Sequence, residues 1–206
     1  MRRFQYHVIT PLHRFENAAK MCAMLKDKQV YWHVILDDCE PFELRFKHKW
    51  VYHYISPTQG DTFWARCNFS INFAMDLMLW DDNARYCFLN DDDAVEPEFF
   101  DKIDRADGEV IVVSMKRGHQ TPAGVIAERA HGTDTLVAAP ENLKVGFIGV
   151  EQMIVSGRIL RKCRLPIHIC GDGQMLEYIG ANYPVTFLPE VYAWFNYFEP
   201  GRWNRE

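Results

Sequence analysis

The stretch Phe88-Leu89-Asn90-Asp91-Asp92-Asp93-Ala94-Val95-Glu96-Pro97-Glu98-Phe99-Phe100 decides how this chain is read. Tyr86 to Leu89 is an apolar strand that ends abruptly in Asn90 and three carboxylates. A turn follows, and Glu96-Pro97-Glu98 opens a helix. In an open α/β sheet, ligands bind beyond the carboxyl ends of the strands. Adjacent acids repel one another unless something cationic lies between them. A hard divalent metal with oxygen ligands, bridging a phosphorylated substrate, is one such cation. The same acids also read as a solvated turn that caps the helix at Glu96.

Outward from this run the pattern is one of strands alternating with helices. Strands are expected at Tyr6–Thr10, broken by Pro11, at Val30–Leu36, stopped by Asp37 and Asp38, and at Trp50–Ile55. Further strands are expected at Val110–Met115, Glu151–Val155, Val185–Leu188 and Val191–Phe195. Helical spacing of apolar residues appears over Glu16–Leu25 and Ala65–Leu79. Pro97–Ile103 is a helix with Pro97 near its start, where a missing N–H costs nothing. Ser156 is a plausible N-cap for a helix over Gly157–Cys163, and Asp172 opens another. This alternation predicts a single α/β domain over residues 1–206, with a mostly parallel central sheet and helices on both faces. Lys116 to Ala139, punctuated by Gly118, Pro122, Gly124 and Gly132, reads as a hairpin or a lid loop.

Composition narrows the function classes. With 48% hydrophobic residues, the 206-residue chain can bury a substantial core. A net charge of -5 argues against general nucleic-acid binding, which calls for a basic surface. No apolar run approaches the ~18 residues of a membrane span. Phe4 to Pro11 is too short and too polar for a signal-peptide core, so a cytoplasmic location is expected. Six cysteines without a C-x-x-C pair read as reduced, mostly buried thiols. His7 and His33 fall inside strands and are expected to be packed or hydrogen-bonded rather than ligands.

A parallel sheet would bring three polar strand ends to one edge: Thr10-Pro11-Leu12-His13-Arg14, Asp37-Asp38, and Asn90 to Asp93. Acids on two strands, with Arg14 and Arg66 nearby, would suit a nucleotide. A carboxylate accepts from a base N–H, and an arginine pairs with phosphate or stacks on a base. There is no G-x-x-x-x-G-K-[ST], no G-x-G-x-x-G after a strand and no G-x-S-x-G elbow. Asp172, between Gly171 and Gly173 at a helix start, could act as a general base. It also reads as an Asp N-cap in a glycine turn.

Taken in order, these segments resemble the family-2 glycosyltransferases of the GT-A fold over roughly Tyr6 to Val191. VILDDCE resembles that family's IVVDDGS, with Cys39 and Glu40 in place of Gly-Ser. ARCNFSINFAMD, with Arg66 and Asn72, resembles the helix before the metal strand. FLNDDDAVEPEFF resembles the D-x-D metal motif, whose two acids fall on Asn90 and Asp92, or on Asp91 and Asp93. FIGVEQMIVSGRIL resembles the strand on the acceptor side. CGDGQML resembles the segment that carries the catalytic base, with Gly171 where the family has Glu.

The resemblance implies a metal-dependent, inverting transfer of a sugar from a nucleoside diphosphate sugar, UDP-sugars favoured, to an acceptor hydroxyl. The acceptor would be a glycan, a lipid-linked glycan or a protein. Thr10, Pro11, Arg14, Asp37, Asp38, Arg66, Asn90 and Asp91 would bind the nucleotide sugar. Asp91, Asp92 and Asp93 would hold Mn2+ or Mg2+, and Asp172 would be the catalytic base. Two other readings stay open. One is a nucleotidyltransferase acting on a sugar phosphate, although TPLHRFE lacks the glycines of a triphosphate loop. The other is a non-catalytic nucleotide-sugar-binding module.

Overall fold

A computed structural model describes residues 5–37, 48–117, 119–120, 126–127, 135–168, 170–195 and 197–198. The first four strands are β1 (Tyr6–Leu12), β2 (Val30–Asp37), β3 (Val51–Ser56) and β4 (Arg85–Phe88). They are followed by β5 (Ala94–Val95), β6 (Val110–Arg117), β7 (His119–Gln120), β8 (Ile126–Ala127) and β9 (Thr135–Leu136). The last two are β10 (Met153–Ser156) and β11 (Val185–Phe195). The helices are α1 (Phe15–Leu25), α2 (Phe63–Leu77), α3 (Phe99–Ile103), α4 (Gly157–Leu160) and α5 (Gly171–Asn182).

The central sheet runs in the order β3-β2-β1-β4-β10-β6-β11-β5, with β9 added alongside β6. β3, β2, β1 and β4 are mutually parallel, and so are β6 and β11. β10 is antiparallel to both β4 and β6 and joins the two parallel halves. The sheet is therefore mostly parallel, as its alternating sequence predicts. The two apolar faces follow from the strand period of two residues. In β2, Trp32, Val34 and Leu36 join one core, and Ile35 joins the other. The first core takes Ala18, Met21 and Leu25 from α1 and Phe99, Phe100 and Ile103 from α3. The second takes Ile71, Ala74 and Met75 from α2, with Ile159 and Leu160 from α4 and Met175, Leu176 and Ile179 from α5. Helices thus cover both faces. Among the described residues, no helix is long and apolar enough to cross a membrane.

Several boundaries differ from expectation for physical reasons. Pro11 does not break β1, which runs to Leu12 with Pro11 in parallel register against Ile35. α2 starts at Phe63 rather than Ala65, because the Thr62 hydroxyl caps it by accepting from the Ala65 N–H at 3.2 Å. Pro97 precedes α3 rather than lying in its first turn. Ser156 stands at the N-cap of α4 but makes no side-chain cap, since its hydroxyl donates to Glu109 at 2.9 Å. The two final strands are one, β11, with an irregularity between Leu188 and Tyr192. Between Lys116 and Ala139, β7 and β8 pair antiparallel and β9 pairs with β6; residues 118, 121–125 and 128–134 lie outside the described residues.

His7 and His33 are buried and share a hydrogen bond of 2.7 Å, and His33 is 3.0 Å from the Tyr54 hydroxyl. Burial pushes His7 down to about 4 and His33 to about 3. Cys22, Cys67, Cys87 and Cys163 form no disulfide and are buried, and Cys170 forms none and is half-buried. Cys39 lies outside the described residues.

Candidate active site

The acid run folds into a tight turn. The Asp93 N–H donates to the Asn90 carbonyl at 3.1 Å, and the Asn90 N–H donates to Asp93 Oδ2 at 3.0 Å. Immediately afterwards β5 pairs with β11, Val95 opposite Ala193 and Ala94 opposite Trp194. The Phe198 N–H also reaches the Asp92 carbonyl at 3.0 Å. This pairing was not expected from sequence, and it draws the turn into the protein. Asp91, Asp92 and Asp93 are 1%, 2% and 0% exposed, so they do not form a solvated turn.

A buried carboxylate needs a partner, and the cation here comes from the chain itself. Arg14, in the turn between β1 and α1, pairs through Nη1 with Asp91 Oδ1 and through Nη2 with Asp92 Oδ2, the latter at 3.1 Å. Asp91 Oδ2 accepts the backbone N–H of His13 at 2.7 Å and that of Arg14. Burial works against the Arg14 charge, but Asp91 and Asp92 more than offset it and push the guanidinium up. Asp92 is pushed up to about 6, chiefly by burial and against the pull of Arg14.

Mn2+ and Mg2+ want several oxygen ligands converging on one point. In this turn the oxygens of Asp91 and Asp92 converge on a guanidinium, and an Asp93 oxygen closes the turn. Among the described residues, no group of three or more His, Cys, Asp or Glu side chains is arranged to hold a metal. Asp91, Asp92 and Asp93 as folded do not fit a metal cage made by the chain alone.

Beside the turn lies a narrow cleft. Pro11, Arg14, Asn90 and Asp91 line it, as do Glu151 and Asp172. A second, roomier space adjoins it, walled by Met115, Leu136, Phe147 and Phe195. Trp64, Glu151 and Asp172 belong to the walls of both. Two carboxyl groups and an indole therefore stand where the two spaces meet.

Glu151 sits in a 3-10 turn, Val150–Gln152, that leads into β10. Asn90 Nδ2 donates to its Oε1, and a side chain at Gly149 would collide with its Oε2 at 2.3 Å. Burial pushes Glu151 up to about 7, and the nearby Asp172 and Asp92 add to the rise. Asp172 is half-buried in the first turn of α5, and burial raises it too, against backbone N–H groups and His168.

The segment before Asp172 is clamped to α2. Asn68 Nδ2 donates to the carbonyls of Pro166 (3.0 Å) and His168 (2.9 Å). Asn72 exchanges two hydrogen bonds with the Leu165 backbone, at 2.7 and 2.9 Å. Gly171 is needed because a Cβ there would lie 1.9 Å from the Pro166 carbonyl oxygen. That glycine serves helix-to-loop packing.

Of the residues expected to bind a nucleotide sugar, Pro11, Arg14, Asn90 and Asp91 are brought together on the first cleft. Thr10 is fully buried, and its hydroxyl accepts from Trp32 Nε1 at 3.0 Å. Arg66 is on α2 but lines neither cleft; its neighbours Trp64, Cys67 and Asn68 face the first. Asp37 ends β2, paired with Ser56, and Asp38 lies outside the described residues. Glu151 was missed. Its signal was a lone acid in the otherwise apolar FIGVEQMIV, at the mouth of a strand.

No protein-family model matches the chain, and no curated relative does. Solved structures do resemble it. The 2-C-methyl-D-erythritol 4-phosphate cytidylyltransferase of Francisella tularensis superposes with a TM-score of 0.50 at 10% identity, over 97% of this chain and 95% of that one. A 4-diphosphocytidyl-2C-methyl-D-erythritol synthase superposes at 0.54 and 9% identity, over 100% and 92%. A putative nucleotide-diphospho-sugar transferase from Desulfovibrio desulfuricans superposes at 0.38 and 11% identity, over 92% and 80%. The first two show a shared fold. At such identities a fold hosts many chemistries, so function is argued from the site.

Proposed function

We propose that this chain transfers a sugar from a nucleoside diphosphate sugar to an acceptor hydroxyl. The observation that carries this reading is the meeting of two clefts at Asp172 and Glu151. The donor would occupy the space lined by Pro11, Arg14, Asn90 and Asp91. The aromatic walls of the second space, Phe147 and Phe195, would receive the acceptor, since sugar rings and apolar aglycones pack on such faces. Asp172 would take the acceptor's proton as its oxygen attacks the anomeric carbon. The new C–O bond forms as the bond to the diphosphate breaks, and the nucleoside diphosphate leaves with the electron pair. A carboxylate whose pKa is raised by burial is a stronger base for that step. Burial pushes Glu151 up to about 7 beside Asp172, so the two carboxyls titrate as an interacting pair.

A second reading is favoured by the fold shared with cytidylyltransferases. In it, a sugar phosphate attacks the α-phosphorus of a nucleoside triphosphate and pyrophosphate leaves. The products separate the two. The chain is incubated with UDP-, GDP-, dTDP- and CMP-sugars and simple glycoside acceptors, and separately with nucleoside triphosphates and sugar phosphates. Release of a nucleoside diphosphate, or of CMP from a CMP-sugar, with a glycosylated acceptor is expected. Pyrophosphate release in the second set alone would replace sugar transfer with nucleotidyl transfer.

A further inference from the structure

The first cleft also holds a pair that the proposed transfer does not use. Cys67 Sγ lies 3.1 Å from His13 Nε2, and both residues line the cleft. Cys67 stands one helical turn after Phe63 on α2, and His13 sits in the turn after β1. The His13 ring packs against Phe63 with centroids 4.9 Å apart, and its backbone N–H is held by Asp91. The imidazole is thus fixed from two sides while Nε2 faces the sulfur. Cys67 is itself buried, 8% exposed, as are Cys22, Cys87 and Cys163, whose thiols burial pushes up, Cys87 to about 12. Cys170 lines the second space instead. The charged side chains sharing the cleft with the pair are Arg14, Asp91, Glu151 and Asp172.

A thiol within hydrogen-bond reach of an imidazole can pass its proton to the ring, and the thiolate is the nucleophilic form of cysteine. We propose that Cys67 and His13 form an activated thiol dyad, a site where alkylating electrophiles and hydroperoxides modify the protein inside the candidate donor cleft. With an alkyl halide, the S–C bond forms as the carbon–halogen bond breaks, and halide leaves with the electron pair. With a hydroperoxide, the sulfur attacks one peroxide oxygen and the O–O bond breaks. The departing oxyanion takes the proton from His13 as water or alcohol. Cysteine is oxidised to sulfenic acid and the peroxide is reduced. Either adduct would stand in the cleft beside Trp64 and Asn68 and exclude a ligand from it.

The test is alkylation of the full chain by iodoacetamide across pH 5.5 to 9, with the modified site located by peptide mass spectrometry. Cys67 is expected to take the first equivalent, with an apparent pKa below about 7.5 against about 8.5 for a free thiol. His13→Gln is expected to slow Cys67 alkylation at pH 6.5 by about tenfold or more, since it removes the proton acceptor. An unchanged Cys67 rate in that variant would overturn the proposal. Should His13→Gln not fold, the wild-type profile decides. First modification at Cys170, or a Cys67 profile centred at the ordinary thiol value, overturns the dyad.

Discussion

The side chain of Asn90, the first residue of the acid run, donates a hydrogen bond to the carboxyl of Glu151 across the junction of β4 and β10. The contact fixes Glu151 where the two clefts meet, and it leaves that carboxyl buried beside Asp172. Glu151 therefore titrates near 7 instead of its ordinary 4.5. Between those values the folded protein holds a proton that the unfolded chain has lost. Stability then falls as pH rises through that window, by about 3 kcal/mol in all. Glu151→Gln keeps an acceptor for Asn90 without the charge. It is expected to be more stable than the parent at pH 8 and close to it at pH 5, by urea denaturation. An equal difference at both pH values would show that Glu151 is not the titrating group.

Asp172→Asn is expected to lower turnover by about 10²–10⁴-fold, the usual worth of a general base. Donor binding is expected to persist, because Asp172 stands at the junction rather than on Arg14. Steady-state assays and donor titrations on the same preparation check both halves. Full turnover in the variant would remove Asp172 from the chemistry.

Arg14 holds Asp91 and Asp92 below the cleft surface. Removing one partner of a buried ion pair leaves an uncompensated charge, typically a loss of about 3–5 kcal/mol. Arg14→Ala is expected to lose about that much in urea denaturation. Adding Asp92→Asn is expected to restore part of it, because one of the stranded charges disappears. Because a guanidinium already sits among these acids, Mn2+ added to the ligand-free protein is expected to bind no tighter than about 1 mM, a level of only about −4 kcal/mol. A calorimetric titration showing micromolar Mn2+ would mean that the acids can release Arg14 and gather on a metal.

How far the sequence reached depends on which interactions were local. Strands such as β2 were legible as short apolar runs buried on both faces, and helices such as α5 because burial repeats at the helical period. The order of strands led to the expectation that the ends at Thr10–Arg14, Asp37-Asp38 and Asn90–Asp93 share one edge; Pro11, Arg14, Asn90 and Asp91 line one cleft, together with Asp172. What escaped was set by partners distant in sequence. The pull of β5 onto β11 buries Asp92 and Asp93 through residues some hundred positions away. Arg14 reaches acids 77 positions on. Asn68 and Asn72, four apart on α2, look like a polar stripe until the segment before Asp172 is laid across them. Glu151 reads as an ordinary strand-end acid until Asn90 and Asp172 are brought beside it.

Near the start of β1 and on β2, among residues that line neither cleft, the buried His7–His33 pair makes a prediction of opposite sign. Burial lowers His7 to about 4 and His33 to about 3, from 6.5 in the unfolded chain. Below pH 6.5 the unfolded state takes up protons that the folded state refuses, so stability falls as pH drops toward 4. The stability associated with His7 is on the order of 3 kcal/mol at neutral pH, and it is lost through that window. His7→Gln keeps polar atoms near His33 but cannot titrate. Thermal unfolding is expected to show a shallower fall in Tm between pH 7 and pH 4.5 for the variant than for the parent. Parallel curves would mean that the imidazole pair does not govern acid sensitivity, and that the carboxylates paired with Arg14 do.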